Sequence, residues 1–335
     1  MSIRRVFIAI ALIVLSVLTI YNWPKENSGQ QPEKEEITFA PEEIAEVVSE
    51  VIVEQRPVVV AQEAASEGFQ PVSNESDLPA DVNLMSKLFD PYPPLLPIVE
   101  TVIYQSNVSW VTGRLAYLGD YAAHYHTPKH FISRSLRGTG NYLSEVVSKG
   151  DRFNVFRKDK EIEFHTVVDL SRRKLWLYYY DAGEDERVLL KSCPVAVGRL
   201  DSRRPSGCLT PTGVFSIGQE GAVYKEGVMG NFKNEPREMV TVFGVRWIPL
   251  EREVANCTGS CKGLGFHGVP WRKNAETGEY VEDKECLGSH VSGGCIRLPT
   301  TDIEEIYAVI LSKTSYVHIV KDFQEANLPG KERTL

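Results

Sequence analysis

The sequence predicts a mainly β protein closed by one C-terminal helix, with a small α+β subdomain ahead of it and a disordered tether at the N-terminus. Three observations support this class. From Ile162 onward, apolar residues alternate in short runs separated by turn residues, the period of half-buried strands. One helical period, "PTTDIEEIYAVILSK", interrupts them near the end. Residues 24–90 carry fifteen acidic and four basic side chains with few aromatics. That composition buries too little apolar surface to offset the entropy of ordering.

Taken in chain order, Arg4 and Arg5 precede a largely apolar run, Val6–Ile20, followed by Tyr21 and Trp23. Fifteen residues suit the core of a signal peptide and fall short of the roughly 20 of a full span. No small-x-small cleavage site follows, so residues 1–23 read as an uncleaved signal-anchor or a cleaved signal peptide. Either exports the body, with the arginines left in the cytoplasm. Residues 24–90 form the acidic linker, within which Ile44, Val47, Val48, Val51 and Ile52 recur at the spacing of a transient amphipathic helix.

Residues 91–158 change texture, from the Pro-rich "PYPPLLP" to "VSWVTGRLAYLGDYAAHYHTPKHFISRSL", and read as the small α+β subdomain. His124, His126 and His130 lie close together there without a carboxylate or cysteine among them, and no metal is expected. Residues 159–322 form the β domain. "FHTVVDLSRRKLWLYYYD" reads as a hairpin about a Ser-Arg-Arg turn, "RVLLKSCPVAVG" as a strand, and "TPTGVFSIG" as a turn into a strand. "EMVTVFGVRWIPL" reads as a strand pair and "TSYVHIVK" as the last strand. The helix between carries an apolar stripe of Ile303, Ile306, Tyr307 and Ile310, with Thr301 and Glu304 spaced as a capping box. Residues 323–335 read as a tail.

The whole chain carries a net charge of −8. The linker holds −11 of it, so the rest is only slightly basic, which excludes a nucleic-acid-binding body. An exported compartment permits disulfides among the six cysteines. A bridge among Cys257, Cys261 and Cys286 is expected, Cys257–Cys286 or Cys261–Cys286, with Cys193–Cys208 a separate candidate. Those three cysteines with His267 are also the residue types of a zinc site, but no second pair mirrors the CxxxC.

The chemistry concentrates in "GLGFHGVP" and "LGSHVSGGCIRLP". A nucleophilic thiol needs a base, donors for an oxyanion, and open access. Ser292, Gly293 and Gly294 remove bulk beside Cys295, and consecutive glycine amides can turn toward one oxyanion. His267, flanked by Gly265 and Gly268, supplies a base able to approach another loop; His290, five residues before the cysteine, is the alternative.

"TPTGVFSI", "GFHG", "LGSHVSGGCIRLPTTDIEEIY" and "SYVHIV", in this order, resemble the L,D-transpeptidase (YkuD) catalytic domain over residues 162–321. The resemblance implies an L,D-transpeptidase-like β-sandwich with Cys295 as nucleophile and His267 as its base. It puts the orienting carbonyl at Gly268, the motif serine and glycine at Ser292 and Gly294, and the arginine after the cysteine at Arg297. That arginine is either a structural ion-pair partner or a holder of a substrate carboxylate.

Two departures stand out. Gly293 occupies the place of the motif histidine, and 27 residues separate His267 from Cys295, longer than the family's usual spacing. The excess, "WRKNAETGEYVEDKEC", reads as a surface insertion that can form part of a lid. The implied activity is a transpeptidation of peptidoglycan stem peptides through a thioester, giving 3→3 cross-links, with no cofactor. It would take place in the periplasm of a bacterium, from an inner-membrane anchor. L,D-carboxypeptidase action, attachment of a protein to the wall, and non-catalytic peptidoglycan binding are the alternatives. A weaker resemblance to a LysM glycan-binding module falls on Val108, Gly113, Leu115, Leu118, Tyr121 and Ile132.

Overall fold

In a computed structural model, residues 71–138 and 147–335 are described. The signal-anchor, most of the linker and its amphipathic stretch lie outside them. No helix among the described residues is long and apolar enough to cross a membrane. Residues 71–90, read as the end of the linker, are instead packed on the β domain. The backbone amides of Val72 and Ser73 donate to the Asp322 carboxylate at 2.8 and 2.9 Å. Helix α1 (Ser86–Phe89) buries Leu88 and Phe89, beside Met85, in the main core. The linker's acidic average hid this apolar end.

Strands β1 (Val99–Ile103) and β2 (Arg152–Phe156) pair antiparallel, with helices α2 (Leu118–His124) and α3 (Lys129–Arg137) between them in the chain. Tyr104, Tyr121, Ile132, Phe153 and Val155 form their own small core. Phe131 and Phe156 belong to the main core, where the Phe156 ring lies 5.9 Å from that of Phe164. The subdomain is therefore fastened to its neighbour by shared apolar packing. His124 stacks on Trp110 at 4.2 Å while His130 meets the Tyr307 ring at 5.1 Å. The histidine cluster of the sequence is thus split, and no set of three metal-ligating side chains gathers among the described residues.

The alternating segments build one curled mixed sheet, and the fold is mainly β. Its strands are β3 (Ile162–Asp169), β4 (Lys174–Asp181), β5 (Glu186–Pro194), β7 (Gly213–Ile217) and β11 (Arg246–Ala255), together with the short β8 (Ala222–Val223); β6 (Val197–Gly198) lies outside this sheet, in a separate two-stranded pairing. β12 (Gly265–Gly268), β16 (Ile296–Leu298), β17 (Ser315–Val320) and β18 (Lys331–Glu332) complete it. The order is β16-β12-β11-β7-β17-β3-β4-β5-β18, with β8 paired to β11. β3 and β4 form the expected hairpin, Asp169 opposite Lys174. The Asp169 carboxylate accepts from the Ser171 hydroxyl at 2.7 Å and the Arg172 amide at 2.9 Å, which satisfies the turn's donors. β18 pairs parallel with β5, so the expected tail is an edge of the sheet.

Two local expectations are corrected. "EMVTVFGVRWIPL" is a short helix, α4 (Val240–Phe243), followed by β11, not a strand pair. Gly244 ends that helix at a positive φ of 61°, and Val240 is its buried residue. Helix α5 (Thr300–Ile310) starts one residue before Thr301, with Pro299 in the capping position and no side-chain cap. Glu304, freed from the capping box, pairs with Arg246 at 2.8 Å. Its apolar face, Ile303, Ile306, Tyr307 and Ile310, is buried as its spacing requires.

Candidate active site

β12 and β16 lie side by side and parallel, with Phe266 opposite Ile296, His267 opposite Arg297, and Gly268 opposite Leu298. This pairing brings two segments 27 residues apart in sequence to one end of the sheet. Cys295 precedes β16, on a turn that follows β15 (His290–Ser292). The Ser292 hydroxyl donates to the Cys295 carbonyl at 2.6 Å and accepts the Gly294 amide at 3.0 Å, bracing the turn from within. The Gly294 amide, expected among the oxyanion donors, is thereby committed, which leaves the amides of Gly293 and Cys295 for that task. The Thr210 hydroxyl donates to the Gly294 carbonyl at 2.8 Å and accepts the Gly198 amide, tying the turn to β6.

The two glycines differ. Gly294 adopts a φ of 129°, and a Cβ there would meet the Leu209 carbonyl and a Leu264 methyl, each at 3.0 Å. Only glycine fits. A Cβ on Gly293 would meet nothing within 4 Å, so the position where the motif has histidine faces open space.

His267 is buried between the Phe243 ring, edge-on at 5.4 Å, and Trp247. The Gly268 carbonyl lies 2.7 Å from Nδ1. A carbonyl can only accept, so Nδ1 carries the proton and Nε2 is the basic nitrogen. Burial, and then the Arg297 guanidinium, push the imidazole down to about 3. Burial pushes the Cys295 thiol up to about 11, against the Gly265 backbone and Arg297, which favour the thiolate. At neutral pH the pair therefore rests as thiol and imidazole, not as a preformed ion pair. A neutral thiol beside a neutral imidazole suits general-base activation, in which the proton leaves the sulfur as it bonds.

A cleft of about 510 Å³ opens on the pair and is lined also by Arg297, Phe243, Lys233 and Arg237. The Arg297 Nε is buried without a hydrogen-bond partner. Lys233 and Arg237 come from the hairpin of β9 (Met229–Phe232) and β10 (Glu235–Glu238), which the sequence reading missed. Its only signal is the polar turn "FKNE", in which Lys233 and Asn234 both take positive φ. The insertion forms a second hairpin, β13 (Trp271–Lys273) and β14 (Tyr280–Glu282), whose Tyr280 hydroxyl donates to Glu238 of the first. His290, the alternative base, lies on β15 with Nδ1 3.0 Å from the Gly198 carbonyl and does not line this cleft.

The expected disulfides are corrected: all six cysteines are free. Cys193 is buried in the main core at the end of β5, and the Cys208 thiol faces the Thr210 carbonyl at 3.3 Å. Cys257 faces the Val214 carbonyl at 3.2 Å, while Cys286 packs separately with Ala196 and Val269. Cys257 and Cys261 border the same core without bonding, and Cys286 belongs to another cluster.

Comparison with known proteins adds an independent result. The L,D-transpeptidase catalytic domain family, YkuD, matches residues 163–320. No curated protein matches the chain. Three solved structures are similar to it. A fused Zn-dependent amidase/peptidase/peptidoglycan-binding domain-containing protein from Clostridium acetobutylicum is 16% identical over 47% of this chain and 51% of its own, TM-score 0.28. Bd1075 of Bdellovibrio bacteriovorus is 17% identical over 48% of each chain, TM-score 0.32. The helical cell shape determining protein Pgp2 of Campylobacter jejuni is 18% identical over 52% of this chain and 51% of its own, TM-score 0.30. The chain spans about half the length of these structures. Residues 163–320, which hold the histidine strand, the cysteine turn and the sheet that joins them, belong to the YkuD family of L,D-transpeptidase catalytic domains.

Proposed function

We infer that the protein is a cysteine-dependent L,D-transpeptidase acting on peptidoglycan stem peptides. The observation that carries this reading is the parallel pairing of β12 with β16, which gives His267 and Cys295 a common cleft. His267 Nε2 takes the thiol proton as the sulfur attacks the donor peptide's carbonyl. The amides of Gly293 and Cys295 meet the oxyanion, and the leaving amine takes the proton back from His267. The product is a thioester on Cys295. Arg297, in no ion pair among the described residues, suits a donor carboxylate rather than a structural partner. An amine from a second stem then opens the thioester to give a 3→3 cross-link. Export by residues 1–23 would set this chemistry in the periplasm, tethered to the inner membrane.

The test is acylation by a carbapenem, read as the intact mass of the chain. A single adduct that maps to Cys295, absent in Cys295→Ala and slowed at least ~100-fold in His267→Ala, is expected, as for loss of a nucleophile or its base. No adduct, with a reactive control alongside, would favour a non-catalytic peptidoglycan-binding protein. Mass spectrometry of muropeptide products then separates cross-linking from trimming.

A further inference from the structure

Residues 195–199, which include β6, run between the two arms of the cysteine turn. On one side, the amides of Val197 and Arg199 donate to the carbonyls of Ser289 and Ser292 at 3.1 and 3.0 Å. On the other, Ala196 and Arg297 exchange amide-to-carbonyl bonds of 2.9 and 2.8 Å. Gly198, two residues on from Ala196, turns its amide to that same edge, where the antiparallel register would set it opposite Cys295. The Cys295 carbonyl is already engaged by the Ser292 hydroxyl. A buried peptide N–H left without an acceptor there would be costly.

Thr210 supplies the acceptor. It is buried, and its hydroxyl accepts the Gly198 amide at 2.8 Å while donating to the Gly294 carbonyl at 2.8 Å. A hydroxyl suits this relay because it is donor and acceptor at once. The approach is close: a Cβ on Gly198 would meet the Thr210 amide at 2.5 Å. The backbone around Thr210 is itself fastened. The Leu209 amide donates to the Arg199 carbonyl at 2.9 Å, and the Cys208 thiol faces the Thr210 carbonyl.

The relay holds one plane. The Gly294 carbonyl and the Cys295 amide belong to the same peptide group, and a trans peptide points them in opposite directions. Fastening the carbonyl to Thr210 therefore aims the Cys295 N–H away from Thr210. Cys295 lines the cleft and Thr210 does not. A carbonyl that accepts a hydrogen bond also polarises its peptide group, which makes the N–H a stronger donor.

We propose that Thr210 is a positioning residue for acyl transfer, turning the Gly294–Cys295 peptide plane so that the Cys295 amide meets the oxyanion. The assignment rests on the transpeptidase reading and adds to it a residue that stands outside the cleft.

Two reactions of the same sulfur test it on the full chain. Acylation by a carbapenem builds an oxyanion; alkylation by iodoacetamide, a displacement at saturated carbon, does not. Thr210→Val is nearly isosteric and lacks the hydroxyl. Its maximal acylation rate should fall about 100-fold, as for a misaimed oxyanion donor, with half-saturation by the carbapenem kept within about threefold. Alkylation at Cys295, read by peptide mass, should stay within about twofold, since no charge develops on oxygen. Thr210→Ser keeps donor and acceptor and should acylate within about fivefold of the natural rate. If Thr210→Val does not fold, Thr210→Cys, with its weaker S–H donor, takes its place, and the same split is expected at about tenfold. A parallel fall in both reactions, or no fall in acylation, overturns the role of Thr210 and leaves the thioester chemistry standing. A natural chain alkylated at Cys295 but never acylated removes both readings together.

Discussion

Cys295 carries a thiol whose surroundings withhold its charge. Burial sets the thiol near 11 and the imidazole near 3, so at pH 7 thiolate is a small fraction and His267 stays neutral and able to accept a proton. Alkylation of the free chain by iodoacetamide should therefore be slow at pH 7 and rise close to tenfold per pH unit up to about pH 10. A rate already at its plateau by pH 7 would mean a resting ion pair. The glycines beside the sulfur make a second contrast. Gly294→Ala forces a Cβ against Leu209 and Leu264 at a φ foreign to alanine, and should cost about 1–3 kcal/mol and most of the acylation rate. Gly293→Ala meets open space at an ordinary φ and should stay within about 0.5 kcal/mol. Urea midpoints with carbapenem acylation rates check both.

At the scale of elements, α5 follows β16 directly and anchors the strand that begins just after Cys295. Lys191 on β5 is buried and meets Asp302 and Glu305 of that helix, each at 2.6 Å, and Arg134 of α3 reaches Glu305 at 3.4 Å. Removing the shared cation leaves two carboxylates facing each other in a poorly solvated place. Lys191→Met should cost about 3 kcal/mol, the low end for breaking a buried pair, since both carboxylates keep some contact with water. An unchanged urea midpoint would show that the apolar face of α5 holds it alone. The two hairpins beside the cleft, joined by Tyr280 and Glu238, are the other linked pair of elements. One was visible as an insertion between His267 and Cys295; the other lay hidden among polar loops.

Over the whole molecule, acid sensitivity follows from imidazoles kept neutral by burial. His267 is pushed down to about 3, and His130, His165 and His318 to about 4. His165 and His318 face each other across β3 and β17 at 3.1 Å, with Glu163 at 3.2 Å from His165. In the unfolded chain these rings titrate near 6.5, so between about pH 6.5 and 4 the unfolded state binds more protons than the folded one. Stability is full above 6.5 and is lost as pH falls through that window. The Asp322 carboxylate is held low mainly by Ser73, despite opposing burial, so its protonation weakens the fold in the same direction. The urea midpoint should fall steadily from pH 7 to 4.5; a flat profile would contradict buried neutral histidines.

The sequence by itself determined the β class, the hairpin about Ser171–Arg173, the helix stripe at 303–310 and the two segments that carry thiol and imidazole. Alternation, helical spacing and glycine-flanked reactive residues are local properties, legible one window at a time. Tertiary structure decided the rest. Residues 71–90 join the core because an apolar pocket receives Met85 and Leu88, which no composition average reveals. Ser292 braces its own turn because the turn folds its hydroxyl onto the Cys295 carbonyl. The cysteines stay unbonded, and the histidine strand β12 comes to lie beside β16, because sheet registry fixes which distant residues meet, and registry is a property of pairs of strands.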